Sequence, residues 1–504
     1  MACEINEISR RQFLAKTTKT AAGVVAATTL AGCNSQNHIQ NHVVAPAFAT
    51  RVLGANERVN MAIIGIRGRG AGHVKTFSGM KNVNVKTICD IDEHLYASRA
   101  KSAQEQQGVA PGTEFDMRRV FDDKDIDAIS TATPNHWHAL VTVWACQAGK
   151  HVYVEKPCSH TIWEGRKMIE AARKYNRLVQ VGFQGRSSSN VLKAIKFIRD
   201  GGLGEVYMVK GLCYKRRDDI GRYPDGPVPK GMGFGMTVGS KRDLMWDKDY
   251  LEKVHYDMWT GPAPKRPFFN RNHFHYNWHW NWDYGNGDIG NQGVHQMDVA
   301  RWALNKDEHP VKIGSFGGYF LYDSAQQTPN TQTASFEYAD GKILQFEVRG
   351  LFTNDESSIK VGNIIYGSKG WMSLSASGDT WATYFGNKNE PGPTSEGAEA
   401  GADPSNLAGS GGGGHFGNFI SAVRSGKRSD IHADIAGGHL SAALCHMANI
   451  SYRLKRNLRF DGAGEKFVGD KEANRMLCGF AKVDNGKLVD VNGYRKPYVI
   501  PNKV

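Results

Sequence analysis

The chain has 504 residues, 40% hydrophobic, 22% charged and 10% aromatic, which is too long for one small core and too rich in aromatic side chains for wholesale disorder. Lys and Arg outnumber Asp and Glu by 63 to 50, a net charge of +13, but the excess is spread along the chain, which argues against nucleic-acid binding. The 8 cysteines include no C-x-x-C pair and no Cys/His zinc spacing, so neither a disulfide framework nor a metal site is expected.

Residues 1–32 read as an export signal. Arg10-Arg11 precedes a small-residue apolar run, Ala21 to Leu30, too short to span a bilayer. Leu30-Ala31-Gly32-Cys33 resembles the lipobox of bacterial lipoproteins, so Cys33 becomes a membrane tether after twin-arginine export to the periplasm, with ordinary cleavage near Ala47-Phe48-Ala49 as the competitor. Residues 33–57 are polar and read as a linker.

Residues 58–183 read as a dinucleotide-binding half. Val59–Ile64 is strand-like and runs into Gly65-Ile66-Arg67-Gly68-Arg69-Gly70, then a helical segment. Glycines let the backbone approach a pyrophosphate, and N–H groups at a helix start face its charge. A second strand, Val83 to Cys89, delivers Asp90 twenty residues beyond Gly70, the spacing for a carboxylate on a ribose diol. Asp90 favours NAD over NADP by repelling a 2′-phosphate, with Arg67 and Arg69 leaving NADP open. Further strands at 127–134 and 151–154, with a helix at 136–148 between them, predict a parallel sheet covered on both faces.

The last of these strands enters Glu155-Lys156-Pro157. With Thr131-Ala132-Thr133-Pro134-Asn135-His136 and Gly149-Lys150-His151-Val152 upstream, the chain resembles the glucose-fructose oxidoreductase and inositol dehydrogenase (Gfo/Idh/MocA) family over about residues 58 to 455. The resemblance implies a Rossmann domain followed by a mostly antiparallel β-sheet domain, an α/β plus α+β chain. It implies cofactor contacts at Thr133, Pro134, Asn135, His138, Glu155 and Lys156, with Lys156 between nicotinamide and sugar. A lysine at the carboxyl end of a sheet strand also points, on elementary grounds, into the ligand crevice of an open α/β sheet.

Gly285 to Asp298 carries the second family motif. His295 and Asp298 match it, whereas Asn291 stands where the resemblance implies an aspartate. An amide can bind a sugar hydroxyl but cannot take its proton, so His295 is the expected base, with Lys156 beside it. Asn291 and Asp298 are read as substrate contacts, Asp298 alternatively as the group that orients His295 or caps its helix. Upstream, 272–284 alternates rings with amides and imidazoles. His279 and Trp280 are the sugar-stacking contacts expected there; His275 and His279, four apart, are weighed as metal ligands and set aside.

In residues 184–455, strands are expected at 204–215, 312–322, 331–338, 342–349 and 360–368, a hairpin at Asp340-Gly341, and helices at 416–425 and 435–453. The Gly- and Pro-rich stretch 216–267 is expected to cover the site or meet another subunit of a homo-oligomer. His439 and His446 are read as packing positions, and 456–504 as a C-terminal tail.

The function expected is hydride transfer between a tightly bound nicotinamide and a sugar or glycoside. Free NAD is scarce outside the cytoplasm, so recycling on the enzyme follows. The alternatives are redox-neutral glycoside cleavage through transient C3 oxidation and elimination, and sugar binding without catalysis.

Overall fold

A computed structural model describes residues 58–222, 251–266, 273–376, 380–396 and 414–504. The export signal, Cys33, the linker, residues 223–250 and 267 of the Gly- and Pro-rich stretch, and Asn272 lie outside the described residues.

The first sheet is wholly parallel. Its strands are β1 (Val59–Ile64), β2 (Val83–Cys89), β3 (Gly112–Glu114), β4 (Ala128–Thr131), β5 (His151–Val154) and β6 (Val179–Val181), in the spatial order β3-β2-β1-β4-β5-β6. The helices between them are α1 (Gly68–Ser78), α2 (Tyr96–Gln107), α3 (Met117–Asp122), α4 (Asn135–Gln147) and α5 (Ile162–Lys174). β4 is buried throughout and α4 exposes almost nothing, as covering both faces of a parallel sheet requires. The order reverses between β1 and β4, which opens the ligand crevice at their carboxyl ends.

After α6 (Ser189–Arg199) comes a second sheet. Its strands are β7 (Val206–Cys213), β8 (Lys312–Gly318), β9 (Thr331–Glu337), β10 (Ile343–Arg349), β11 (Val361–Gly367), β12 (Gly370–Ser375), β13 (Thr380–Phe385), β14 (Glu390–Thr394), β15 (Leu458–Asp461) and β16 (Lys466–Phe467). The order is β14-β13-β12-β11-β7-β10-β9-β8-β15-β16, antiparallel except where β10 runs parallel to β7. Residues 340 and 341 do turn between β9 and β10, Gly341 at φ +84°, where a side chain would be strained. The alternating burial of β9 and β10 shows one face packed and one facing outward.

α7 (Tyr256–Thr260) lies between β7 and β8. α8 (Val294–Ala303) covers β7, β10 and β11; α9 (Gly414–Ser425) and α10 (Ile435–Leu454) follow the sheet. α10 is capped by Asp434, whose side chain accepts from the Ala436 N–H, and packs against both α5 and β8. The two sheets thus share one apolar core. Residues 456–504, read from sequence as a tail, supply β15 and β16 to the large sheet and then a separate hairpin. The tail also folds back onto α5, where Tyr494 donates to Glu164.

Candidate active site

A cavity of about 490 Å³ lies between the carboxyl end of the parallel sheet and the segment 275–295. On its sheet side it is lined by Gly65, Arg67, Gly68 and Arg69, then Asp90, Thr133 and Pro134, then Glu155 and Lys156. Gly65 adopts φ +78°, and a Cβ there would meet the Ala132–Thr133 backbone at 2.9 Å. A Cβ on Gly70 would fall 1.7 Å from the Gly65 carbonyl oxygen. Gly70 is therefore outside the cavity: its part is to bring α1 against the loop. No side chain caps α1 and no acid lies in its first turn, so its N-terminal dipole stays available to an anion.

Asp90 accepts from the Ile66 N–H at 2.7 Å and the Asp92 N–H at 3.0 Å. Burial raises its pKa to about 6 in spite of these bonds. Two other expected cofactor contacts turn elsewhere. His138 bonds the carbonyls of Pro157 (2.7 Å) and Thr133 (2.8 Å), pinning the loops instead of lining the cavity. Asn135 is buried as the first residue of α4 and does not line it either.

Glu155 is the anchor of the catalytic loop. Its Oε1 accepts from Arg69 Nε (2.8 Å) and lies 3.1 Å from His73 Nε2, while its Oε2 accepts from the Lys156 N–H at 3.3 Å. A Cβ on Gly182 would press on this carboxylate at 2.9 Å, so the glycine leaves the room that the carboxylate occupies. Burial opposes the charge, but the His73 bond and neighbouring cations hold the Glu155 carboxyl well below the usual range. Burial lowers the Lys156 pKa. Its ammonium donates to the Asn291 backbone carbonyl at 2.5 Å and lies 3.5 Å from that residue's Oδ1.

Asn291 sits in a π turn, Ile289–Gly293, which runs directly into α8. Such a turn takes carbonyls out of the regular helical ladder, and Lys156 uses one of them. One helical turn on, His295 faces the same cavity. Burial, then the Lys156 charge, pushes its pKa down to about 3, so the imidazole is neutral. Among the described residues no group hydrogen-bonds its ring nitrogens; its nearest ring neighbour is Phe183, edge-on at 6.0 Å.

Two expected substrate contacts are corrected. Asp298 is 1% exposed and outside the cavity; Arg186 clasps it through Nε (2.8 Å) and Nη2 (2.9 Å), and Ser441 donates at 2.7 Å. It holds α8 to its neighbours. Trp280 is 3% exposed, with the Arg217 guanidinium 5.4 Å from its ring centre; Arg217 in turn clasps the buried Asp288. Of the two tryptophans flanking His279, the one that lines the cavity is Trp278, stacked on His279 at 3.6 Å between centroids. His279 and Asn291 do line it. His275 and His279 share no α-helical face, since Asn277–Trp280 is a 3-10 turn, and His275 Nε2 bonds Asp92 at 2.7 Å.

The sequence reading missed Phe115, Met117, Trp137 and Trp259 on the opposite wall, which His275 of the aromatic run joins. The first three come from loops and helices of the first domain and Trp259 from the stretch expected to cover the site. Val254 bridges Asp92, the His255 N–H donates to the Ile91 carbonyl at 2.8 Å, and His255 stacks on Phe115 at 3.9 Å. Residues 251–260 thus form a strap from the second domain over the loop after β2.

The parallel sheet, with its uncapped turn after β1 and Lys156 at the end of β5, joined to a second sheet covered by the helix of His295, defines a two-domain oxidoreductase with a nucleotide-binding first half. The family description "oxidoreductase family, NAD-binding Rossmann fold" matches residues 59–183, and that of its "C-terminal alpha/beta domain" matches 231–357 and 413–484. The chain belongs to the Gfo/Idh/MocA oxidoreductase family, and its cofactor is NAD.

It is similar to an inositol 2-dehydrogenase of Salmonella paratyphi B, 31% identical over 316 residues, 62% of this chain and 72% of the relative. It is also similar to a glycosyl hydrolase family 109 protein of Shewanella sp. (strain W3-18-1), 27% identical over 210 residues. That match covers 40% of this chain and 45% of the relative, so the chain spans less than half the length of this family 109 relative. Among solved structures, a levoglucosan dehydrogenase in complex with NADH superposes with a TM-score of 0.57 at 18% identity, over 80% of this chain and 98% of that one. The aldose-aldose oxidoreductase of Caulobacter crescentus, complexed with glycerol, gives 0.56 at 17%, over 80% and 100%.

Proposed function

We propose that the protein transfers hydride between its bound NAD and a hydroxyl-bearing carbon of a sugar or glycoside. The observation that carries this reading is His295, a neutral imidazole without a hydrogen-bond partner among the described residues, sharing the cavity with the Lys156 ammonium. NAD supplies the hydride acceptor. Lys156 donates a hydrogen bond to the reacting hydroxyl, and His295 takes that hydroxyl's proton as the carbonyl forms. Asn291 fixes the ammonium, Trp278 and His279 offer the flat surface on which a pyranose ring stacks, and Asp90 takes the ribose hydroxyls.

The strap over the loop after β2 supports a cofactor that stays bound between turnovers. Recycling then needs a second sugar that is reduced, as the name of the Caulobacter relative suggests for that protein. The family 109 relatives support a second reading, in which oxidation at C3 acidifies the neighbouring C–H, the glycosidic group leaves by elimination, water adds to the resulting enone, and the same hydride returns to C3. Incubation of purified protein with candidate sugars, following absorbance of reduced nicotinamide and analysing products, separates the two. A keto sugar with a reduced partner supports the first, and a cleaved glycoside without net redox change supports the second.

We infer further that Arg10-Arg11 and Leu30 to Cys33 direct export and lipid attachment. Replacing both arginines by lysine is then expected to leave the protein in the cytoplasm.

A further inference from the structure

Away from the cavity, three segments distant in sequence converge on one point. His309 precedes β8, His439 lies on α10, and Glu465 sits in the turn between β15 and β16. The Nε2 atoms of His309 and His439 lie 3.1 and 2.8 Å from the same carboxylate oxygen, Glu465 Oε1, and the three atoms fall within 4.8 Å of one another. Both imidazoles are buried. None of the three residues lines the NAD cavity, and no step above uses them.

We propose that His309, His439 and Glu465 form a structural site for a divalent transition ion, zinc being the ion this donor set suits. Two ligand atoms about 2.0–2.1 Å from a tetrahedral zinc are separated by roughly 3.3 Å, so each nitrogen needs to move away from Glu465 Oε1 by only about half an ångström or less, while the two nitrogens stay within 4.8 Å of one another. Imidazole and carboxylate are first-shell zinc ligands, with water completing the set. Each Nε2 donates its hydrogen to Glu465 Oε1, so ligation requires that hydrogen to leave, by a shift of tautomer to Nδ1 or by release as the ion binds. Burial opposes ionisation of Glu465, but bonds from both histidines hold its carboxyl well below the usual range. An ion here ties the turn of the β15–β16 hairpin to α10 and to the loop before β8, joining the C-terminal segment to the core.

Arg166 clasps the same carboxylate, its Nε on Oε2 at 3.1 Å and its Nη2 on Oε1. The guanidinium is 43% exposed, so it can yield Oε1 toward solvent while holding Oε2, as groups behind a ligating carboxylate do. Its charge opposes the ion, so removing it should tighten binding.

The test uses the whole purified protein, stripped by chelator and titrated with cobalt(II). The expected result is visible absorbance of tetrahedral cobalt saturating at one equivalent and displaced by zinc. Affinity should fall at least tenfold in H439A and in H309Q, and rise about threefold to tenfold in R166Q, with bound NAD unchanged in all three. Zinc should raise the melting temperature of the wild type and not of H439A. If R166Q folds and cobalt gives no saturable absorbance in it, or if the band persists in the H309A/H439A double variant, the cluster is an ion-pair network alone and the proposal is overturned.

Discussion

The Lys156 ammonium is held by the backbone carbonyl of Asn291, at 2.5 Å, more closely than by that residue's side chain. The positioning partner is therefore a main-chain atom released by the π turn, which explains how an amide can occupy a position where the family pattern places an aspartate. Asn291→Ala should consequently keep most of the Lys156 alignment and lose less than about tenfold in kcat, whereas Lys156→Ala should lose about 10² to 10⁴-fold. Single-turnover reduction of the bound nicotinamide measures both, and equal losses would contradict the backbone assignment.

The pH profile follows from His295. Its pKa, depressed to about 3, leaves the neutral base populated at every pH above about 4, so protonation of His295 in the free enzyme should not cut kcat/KM between pH 5 and 7. Stability runs differently. A histidine whose folded pKa lies below its unfolded value near 6.5 binds fewer protons when folded, so stability is full above that value and drains as pH falls toward the folded pKa. His136, His275 and His415 are pushed to about 4, and His151, His279 and His446 to about 3. Thermal melts should show Tm dropping steeply between pH 6.5 and 4.

Asp90, with its pKa raised to about 6, repels a 2′-phosphate only when ionised. Discrimination against NADP should therefore weaken as pH falls from 7 to 5. Fluorescence titration of cofactor-stripped protein at both pH values checks this; an unchanged NAD/NADP ratio would place the ribose elsewhere.

The two tryptophans on either side of His279 should separate cleanly. Trp278→Ala should raise KM for the sugar about tenfold with the fold intact. Trp280→Ala, which empties a buried site under Arg217, should cost about 3–5 kcal/mol and show in chemical denaturation.

Gly70→Ala forces a methyl group onto the Gly65 carbonyl and should drive α1 from the phosphate turn. The purified variant is expected to carry little NAD, read by extraction of the nucleotide.

Local signals account for what could be read from sequence. The run from Val59 to Gly70 combines strand periodicity with turn chemistry over a dozen residues, whereas Glu155-Lys156-Pro157 and the segment bearing His295 are legible through their resemblance to the family's motifs, and the structure brings all three to one cavity. Spacing places a residue near a site without fixing the direction of its side chain: His138 and Asp298 are directed elsewhere by their hydrogen bonds, and Asn135 is buried outside the cavity. Trp278 and Trp280 share one aromatic run, and only the 3-10 turn decides which faces the cavity. The wall made by Phe115 and Trp259 joins segments far apart in sequence, with nothing in either to announce the other. β15 likewise reads as an ordinary short apolar run until its pairing with β8 is known.

The parallel seam between β7 and β10 obliges the chain to cross over the sheet between them, and that crossing contains the strap, the aromatic run and the helix of His295. Nearly every group that would touch a sugar is thus delivered by one excursion anchored at neighbouring strands. An engineer seeking new selectivity would have to transplant that excursion together with its partners on the first sheet, since Val254 bridges Asp92 and the Asn291 carbonyl holds Lys156.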